Sequence, residues 1–191
     1  MNARRLKQHI EDSARTVASL SSRLPELSRA CRLIVRALQL GHKVLTAGNG
    51  GSAAEALHMA EELTGRFRGN RRALPAIALA ADPTALTCIG NDFGFERVFS
   101  RQIEALGRRG DALVLFSTSG RSANLLPALR AARTKGLKTI CLLGKGGGAL
   151  AGRADCEIIV AATATERIQE AHQTVVHLML EAVEEAFGEK R

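Results

Sequence analysis

His58 and Glu62 stand four residues apart in an unbroken run of helix formers, Ala53-Ala54-Glu55-Ala56-Leu57-His58-Met59-Ala60-Glu61-Glu62-Leu63. Residues four apart on a helix lie above one another, so an imidazole and a carboxylate project from one face. Such a pair can coordinate one metal ion or act as an oriented acid and base. Just upstream, the apolar run Val44-Leu45-Thr46-Ala47 reads as a buried strand, and Gly48-Asn49-Gly50-Gly51-Ser52 as a tight turn suited to glycine. A strand that turns on glycines into a helix start offers free backbone N–H groups and the positive end of the helix dipole to an anion. One element thus carries both an anion pocket and a proton- or metal-handling pair. That combination points to an enzyme acting on a phosphorylated small molecule.

Three further constellations bear on the same chemistry. Ser117-Thr118-Ser119-Gly120-Arg121-Ser122 follows another apolar run and precedes a helical segment. Its four hydroxyls exceed what capping needs and can donate to phosphate oxygens. Gly90-Asn91-Asp92-Phe93-Gly94-Phe95 reads as a loop whose Asn91 and Asp92 could hold sugar hydroxyls, although Asn-Asp between glycines is equally a turn composition. In the last helical segment Gln169, His172, Gln173 and His177 are polar among Ile168, Val175, Val176, Leu178 and Leu180. Gln169 and His177 lie about 12 Å apart along an ideal helix and about 80° apart around it. Contact with one ion would need extended side chains, an irregular helix start, or completion of the site by another chain. Gly144-Lys145-Gly146-Gly147-Gly148 reads as a structural loop. Gly48-x-Gly50-x-x-Ala53 fits a loose dinucleotide fingerprint, but the stretch where an acidic ribose-binding residue belongs, Gly65 to Arg72, is basic.

The elements that must position these groups follow from periodicity. Arg4 to about Leu40 reads as two helices broken at Pro25, with Leu20, Leu24, Leu27, Cys31, Ile34, Val35 and Leu38 as an apolar stripe for the core or a subunit interface. Strands are expected at Val44–Ala47, Ala76–Ala80, Ala112–Phe116, Thr139–Leu143 and Glu157–Val160. Helices are expected at Thr84–Ile89, Val98–Leu106, Ser122–Lys135, Ala149–Arg153 and Glu166–Ala186. This alternation predicts an α/β fold: one domain over residues 1–191, with a five-stranded, doubly wound parallel sheet flanked by helices and an N-terminal helical extension over 1–40. Ligands of such sheets collect at the carboxyl ends of the strands, where the glycine and hydroxyl loops fall.

Composition narrows the class. The 191 residues are 46% hydrophobic, enough for a core, and no apolar run is long enough for a membrane span. Met-Asn-Ala-Arg-Arg-Leu-Lys lacks the apolar centre of a signal peptide, and Cys31, Cys88, Cys141 and Cys156 form no Cys-x-x-Cys pair. A reduced, cytoplasmic protein is expected. The net charge of +8 and the cluster Arg66, Arg68, Arg71 and Arg72 would suit nucleic acid, but 3% aromatics leave little for base stacking. A basic surface also suits an enzyme that collects anionic sugars, so nucleic acid is not the expected partner.

Taken in order, Gly48-Asn49-Gly50-Gly51-Ser52, His58-Met59-Ala60-Glu61-Glu62-Leu63-Thr64-Gly65-Arg66, Gly90 to Phe95, Ser117-Thr118-Ser119-Gly120 and Arg167-Ile168-Gln169-Glu170, with His172 and His177, resemble the sugar isomerase (SIS) family and its phosphoheptose isomerase branch over nearly the whole chain. The resemblance implies a homotetramer with active sites between subunits, and one zinc per subunit held by His58, Glu62, Gln169 and His177. It implies substrate contacts from Asn49, Gly50, Gly51, Ser52, Glu62, Asn91, Asp92, Ser117, Thr118, Ser119, Ser122 and Gln169. The implied reaction converts D-sedoheptulose 7-phosphate to D-glycero-D-manno-heptose 7-phosphate, towards the heptose of lipopolysaccharide. An aldose–ketose isomerisation through an enediol needs a base, an acid and an electrophile, which assigns Glu62 as base, His177 as acid and zinc as electrophile. Arg121 stands where the family loop usually carries Asn, and Glu166 where Asp is common. The alternative is a non-catalytic SIS protein that binds the bacterial replication initiator, which has no need of His58, Glu62 and His177 together.

Overall fold

The structure, a computed structural model, describes residues 2–188. Helices α1 (Ala3–Ala18) and α2 (Leu24–Gln39) come first, joined by a 3₁₀ turn over Ser19–Arg23. Asn2 caps α1 by accepting from the Arg5 N–H. Pro25 sits inside the first turn of α2 and does not mark the break itself. Its missing N–H costs nothing there, so it opens the helix. Leu20, Leu27, Ile34 and Leu38 of the apolar stripe are buried, whereas Leu24 is 63% exposed.

The remainder alternates: β1 (Val44–Ala47), α3 (Gly51–Thr64), β2 (Ala76–Ala78), α4 (Pro83–Phe93), α5 (Ser100–Leu106), β3 (Ala112–Ser117), α6 (Leu125–Lys135), β4 (Lys138–Leu143), β5 (Cys156–Ile159) and α7 (Thr165–Phe187). The strands form one sheet in the order β2-β1-β3-β4-β5, with every ladder parallel. The expected doubly wound sheet is therefore present. Both faces are covered, and the strands show it residue by residue. Val44, Ala112, Val114, Phe116, Ile140, Leu142 and Ile158 pack with α2, α3 and α7 on one side. Leu45, Ala47, Leu113, Leu115, Cys141 and Leu143 pack with α5 and α6 on the other. Strands buried on both faces read as continuous apolar runs, which is why they stand out in the chain.

Three local expectations are corrected. Gly90 to Phe95 is not a loop: α4 continues through Gly90, Asn91 and Asp92 and stops at Gly94, whose φ is 85°. Asp82 accepts from the Thr84 and Ala85 N–H groups and Pro83 opens the first turn, so a firm start carries the helix across one glycine. Helix α6 begins at Leu125 because Ser122 to Asn124 remain in the turn. Ala149–Arg153 is not a helix; a 3₁₀ segment at Lys145–Leu150 contains Gly146, Gly147 and Gly148 at positive φ.

Among the described residues no helix is long and apolar enough to cross a membrane. The four cysteines are unbridged, and burial pushes the Cys141 thiol well above its ordinary range.

Candidate active site

Strand order reverses direction at β1, so the loops after β1 and β3 leave neighbouring strands for opposite faces and open a crevice between them. Both are the loops rich in glycine and hydroxyls. They are tied by a reciprocal amide pair: Asn49 donates to Asn124 Oδ1 at 2.9 Å, and Asn124 donates to Asn49 Oδ1 at 2.9 Å. Asn124 is buried, so this pair fixes the separation of the loops. Ser117 Oγ accepts from the Gly120 N–H at 3.0 Å, and Ser119 Oγ from the Arg121 N–H at 3.2 Å. A hydroxyl that accepts from backbone keeps its own proton to donate. Asn49, Ser52, Phe116, Ser117, Thr118, Ser119 and Ser122 line a cavity of about 50 Å³. Gly50, with φ 55°, turns the chain into α3. At Gly120, with φ 61°, a Cβ would fall 1.8 Å from the Gly147 carbonyl oxygen, so the glycine loop after β4 buttresses the hydroxyl loop by direct backbone contact. The chemistry of this crevice is that of an anion cradle.

The second half of the site is built where α3 lies against α7. His58 Nε2 is 3.2 Å from Glu62 Oε1, as the spacing requires. The ring of His177 stands 5.5 Å from that of His58, centre to centre. Between them is Gln173, whose Nε2 lies 3.2 Å from His58 Nδ1 and 3.0 Å from His177 Nε2. The residue pairing with His177 within this chain is therefore Gln173, four positions upstream on the same face. Gln169 is at the other end of α3: a Cβ on Gly51 would fall 2.2 Å from its Nε2, so its amide covers the glycine turn. One chain thus brings together His58, Glu62 and His177, and places Gln169 with the anion cradle. A metal fits the first group by donor chemistry, two imidazoles and a carboxylate being the set a borderline ion such as zinc takes. Ligating atoms of His58, Glu61 and Glu62 also lie within 4.8 Å of one another.

The basic stretch after α3 has an internal role. Arg71 is fully buried at its side chain and donates from Nε to Glu184 Oε1 at 3.0 Å. Its remaining N–H groups donate to the backbone oxygens of Glu62 (2.6 Å), Leu63 (3.0 Å) and Arg72 (3.1 Å). Gly69 N–H donates to Glu184 Oε2 at 2.8 Å, and Arg68 pairs with Glu181 at 2.7 Å. Arg72 lies over the Phe187 ring at 5.3 Å. This stretch straps the end of α3 onto α7 and stacks Phe67 on His177, ring centres 5.7 Å apart. Of the four clustered arginines, Arg71 is buried, whereas Arg68 and Arg72 make their contacts with Glu181 and Phe187 at the surface.

The other named residues fall as follows. Asn91 and Asp92 are exposed near the end of α4, with Asn91 Nδ2 donating to Asp92 Oδ1 at 2.7 Å. His172 is fully buried, 3.9 Å from Glu55 and edge-on to Phe116. Arg121 is exposed at the tip of the hydroxyl loop, and Glu166 lies in the first turn of α7, where a carboxylate suits the dipole. Lys145, at φ 49°, donates to Thr165 Oγ1 at 3.0 Å. Two contributors lay outside the expected site set, Gln173 and Asn124. The i, i+4 spacing that picks out His58 and Glu62 also pairs Gln173 with His177, whereas nothing in the sequence pairs Asn49 with Asn124 seventy-five positions away.

Comparison with known proteins agrees with this architecture. Residues 8–144 match the SIS domain family model. The phosphoheptose isomerase of Campylobacter concisus is 47% identical over 182 residues, covering 95% of this chain and 96% of that protein. Among solved structures, the phosphoheptose isomerase of Neisseria gonorrhoeae superposes with a TM-score of 0.89 at 40% identity, covering 95% of this chain and 98% of that one. That of Francisella tularensis gives 0.92 at 34% identity, covering 97% and 100%. With the family model spanning most of the chain and full-length relatives at this identity, the protein belongs to the SIS domain family.

Proposed function

We propose that this protein is a phosphoheptose isomerase that converts D-sedoheptulose 7-phosphate to D-glycero-D-manno-heptose 7-phosphate through an enediol, in the cytoplasm, towards lipopolysaccharide heptose. The observation that carries the reading is the sharing of α3 between the anion cradle and the acid–base cluster. Gly51 and His58 are separated by about 10 Å of helix, comparable to the reach of an extended seven-carbon chain. A phosphate at the amino end of α3 would set the carbonyl end of the sugar near His58, Glu62 and His177.

The roles follow. Backbone N–H groups of Gly50 and Gly51, and the hydroxyls of Ser52, Ser117, Thr118, Ser119 and Ser122, hold the phosphate. Asn49, Asn91, Asp92 and Gln169 contact the sugar or its phosphate, the exposed pair on α4 from a neighbouring subunit. Glu62 removes the proton next to the carbonyl and returns it to the adjacent carbon, and His177 moves protons at the oxygens. His58, Glu62 and His177 would hold zinc, with Gln169, which within its own chain lies over Gly51, joining them from a neighbouring subunit; the ion would supply an electrophile for negative charge developing on the sugar oxygens.

Assembly into a tetramer agrees with the surface of one chain. Helix α1 buries none of its residues, with Leu6 46% and Ile10 69% exposed, and α4 likewise buries none, leaving Phe93 and Phe95 at the surface. Apolar faces of this kind are covered by association. The N-terminal helices of 1–40 are accordingly an extension of one domain that packs in the oligomer.

The test is turnover of sedoheptulose 7-phosphate with the aldose product followed by proton NMR. Turnover is expected to disappear after dialysis against a strong chelator and to return on adding zinc. Undiminished turnover in metal-stripped protein would remove zinc from the reading. Absence of turnover in the zinc-loaded tetramer would shift it to a non-catalytic protein that binds the replication initiator.

A further inference from the structure

We infer that Phe67 is a positioning residue for the reaction: its ring sets the plane in which His177 presents its imidazole to the sugar. The inference deepens the proposed function and rests on it, since it is there that His177 moves protons at the sugar oxygens.

A histidine on a helix has a defined χ1, but χ2 turns an sp² ring and has no sharp minimum. The plane of the ring is therefore imposed by its neighbours. His58 has a carboxylate for this purpose, with Nε2 3.2 Å from Glu62 Oε1. Among the described residues the one hydrogen-bonding neighbour of the His177 ring is the Gln173 amide at 3.0 Å. Its other neighbours are rings. That of His58, 5.5 Å away, is tilted by 59°, whereas that of Phe67, 5.7 Å away, is tilted by only 26°. Rings stacked at this separation attract one another. Turning the imidazole about χ2 gives up the stack and brings a ring edge towards the Phe67 face.

Phe67 can serve as a wall because it is itself held. Its ring packs at the edge of the core, and the Arg68 guanidinium lies 5.0 Å from its centre. The residues after it meet α7 in step. Phe67 lies on His177, Arg68 Nη2 is 2.7 Å from Glu181 Oε1, and the Gly69 N–H and Arg71 Nε donate to Glu184 at 2.8 and 3.0 Å. Positions 177, 181 and 184 follow the i, i+4, i+7 spacing of one helix face. The stretch that straps α3 to α7 thus also delivers a flat apolar surface to one imidazole.

Three proteins test this: the native one, Phe67→Tyr, which keeps the ring, and Phe67→Leu, which keeps an apolar side chain without it. Turnover of sedoheptulose 7-phosphate is measured with zinc at saturation, and crystal structures of the native protein and Phe67→Leu give the plane of His177. In Phe67→Leu kcat is expected to fall about 10- to 100-fold, the range a displacement of about 1 Å can cost. KM should stay within roughly twofold, because the phosphate grip lies at the other end of α3. Phe67→Tyr should keep native kcat, and the imidazole in Phe67→Leu should be turned or split between two orientations. Native kcat in Phe67→Leu, an equal loss in Phe67→Tyr, or an unmoved His177 plane overturns the inference. No turnover by the native protein overturns the isomerase reading instead, while the two crystal structures still decide whether Phe67 sets the ring.

Discussion

Glu62→Gln, assayed with zinc at saturation, is expected to lower kcat for sedoheptulose 7-phosphate by about 10²–10⁴-fold, the usual worth of a positioned general base. KM should change far less, because the phosphate grip lies at the amino end of α3, ten residues away, and glutamine keeps the shape of the side chain. The variant should fold normally. Glu62 is only partly buried, and its hydrogen bond to His58 Nε2 can be replaced by the amide oxygen. Its location suits the proposed role of base. One carboxylate oxygen faces the His58 ring at 3.2 Å, and the other is free of that contact. The backbone carbonyl of the same residue is held by Arg71 at 2.6 Å, so the residue is anchored from behind. A kcat that falls less than tenfold would remove Glu62 from the role of base.

The second large effect is on stability. Arg71→Ala is expected to cost about 3–5 kcal/mol, the range for removing one partner of a buried ion pair. The guanidinium is fully buried and four of its contacts are lost together: Glu184 and the carbonyls of Glu62, Leu63 and Arg72. Those carbonyls include two at the open end of α3, which have no intrahelical partner of their own. Arg71→Lys should recover only part of the loss, since an ammonium cannot fork between a carboxylate and carbonyls. Denaturant unfolding of both variants measures this. A loss under 1 kcal/mol in Arg71→Ala would mean that the strap does not hold α3 to α7.

The contrast between Glu62 and Arg71 shows what can be read from the chain alone. His58 and Glu62 are legible because helical spacing is a local rule and nothing breaks the helix between Gly51 and Thr64. The strands are legible because burial on both faces leaves Val44–Ala47 and Ala112–Ser117 almost wholly apolar, with Thr46 satisfied by donating to the Ala56 carbonyl. The two loops of the anion cradle follow from strand ends, which parallel sheets always use. Arg71 is different. In sequence it is one of four closely spaced arginines, and only the approach of α7, more than a hundred positions later, converts it into a buried partner of Glu184. Asn49 and Asn124 pair for the same reason. Gly90 to Phe95 misleads because the turn-forming composition of Asn-Asp between glycines is a weaker influence than the Asp82–Pro83 start of the helix that runs into it. Gln169 and Gln173 are alike in composition and differ only in register. The helix sends the first to the glycine turn and the second to the histidines.

The account joins a phosphate grip and an acid–base cluster on one helix, and a single comparison tests that junction. Sedoheptulose 7-phosphate and sedoheptulose without its phosphate are incubated at equal concentration with the zinc-loaded protein, and the aldose formed from each is followed by NMR. The account predicts turnover of the phosphorylated sugar and almost none of the free one, because without the anchor at Gly50 to Ser52 and Ser117 to Ser122 the carbonyl is not delivered to Glu62 and His177. Equal turnover of the two sugars, or of neither, would contradict it.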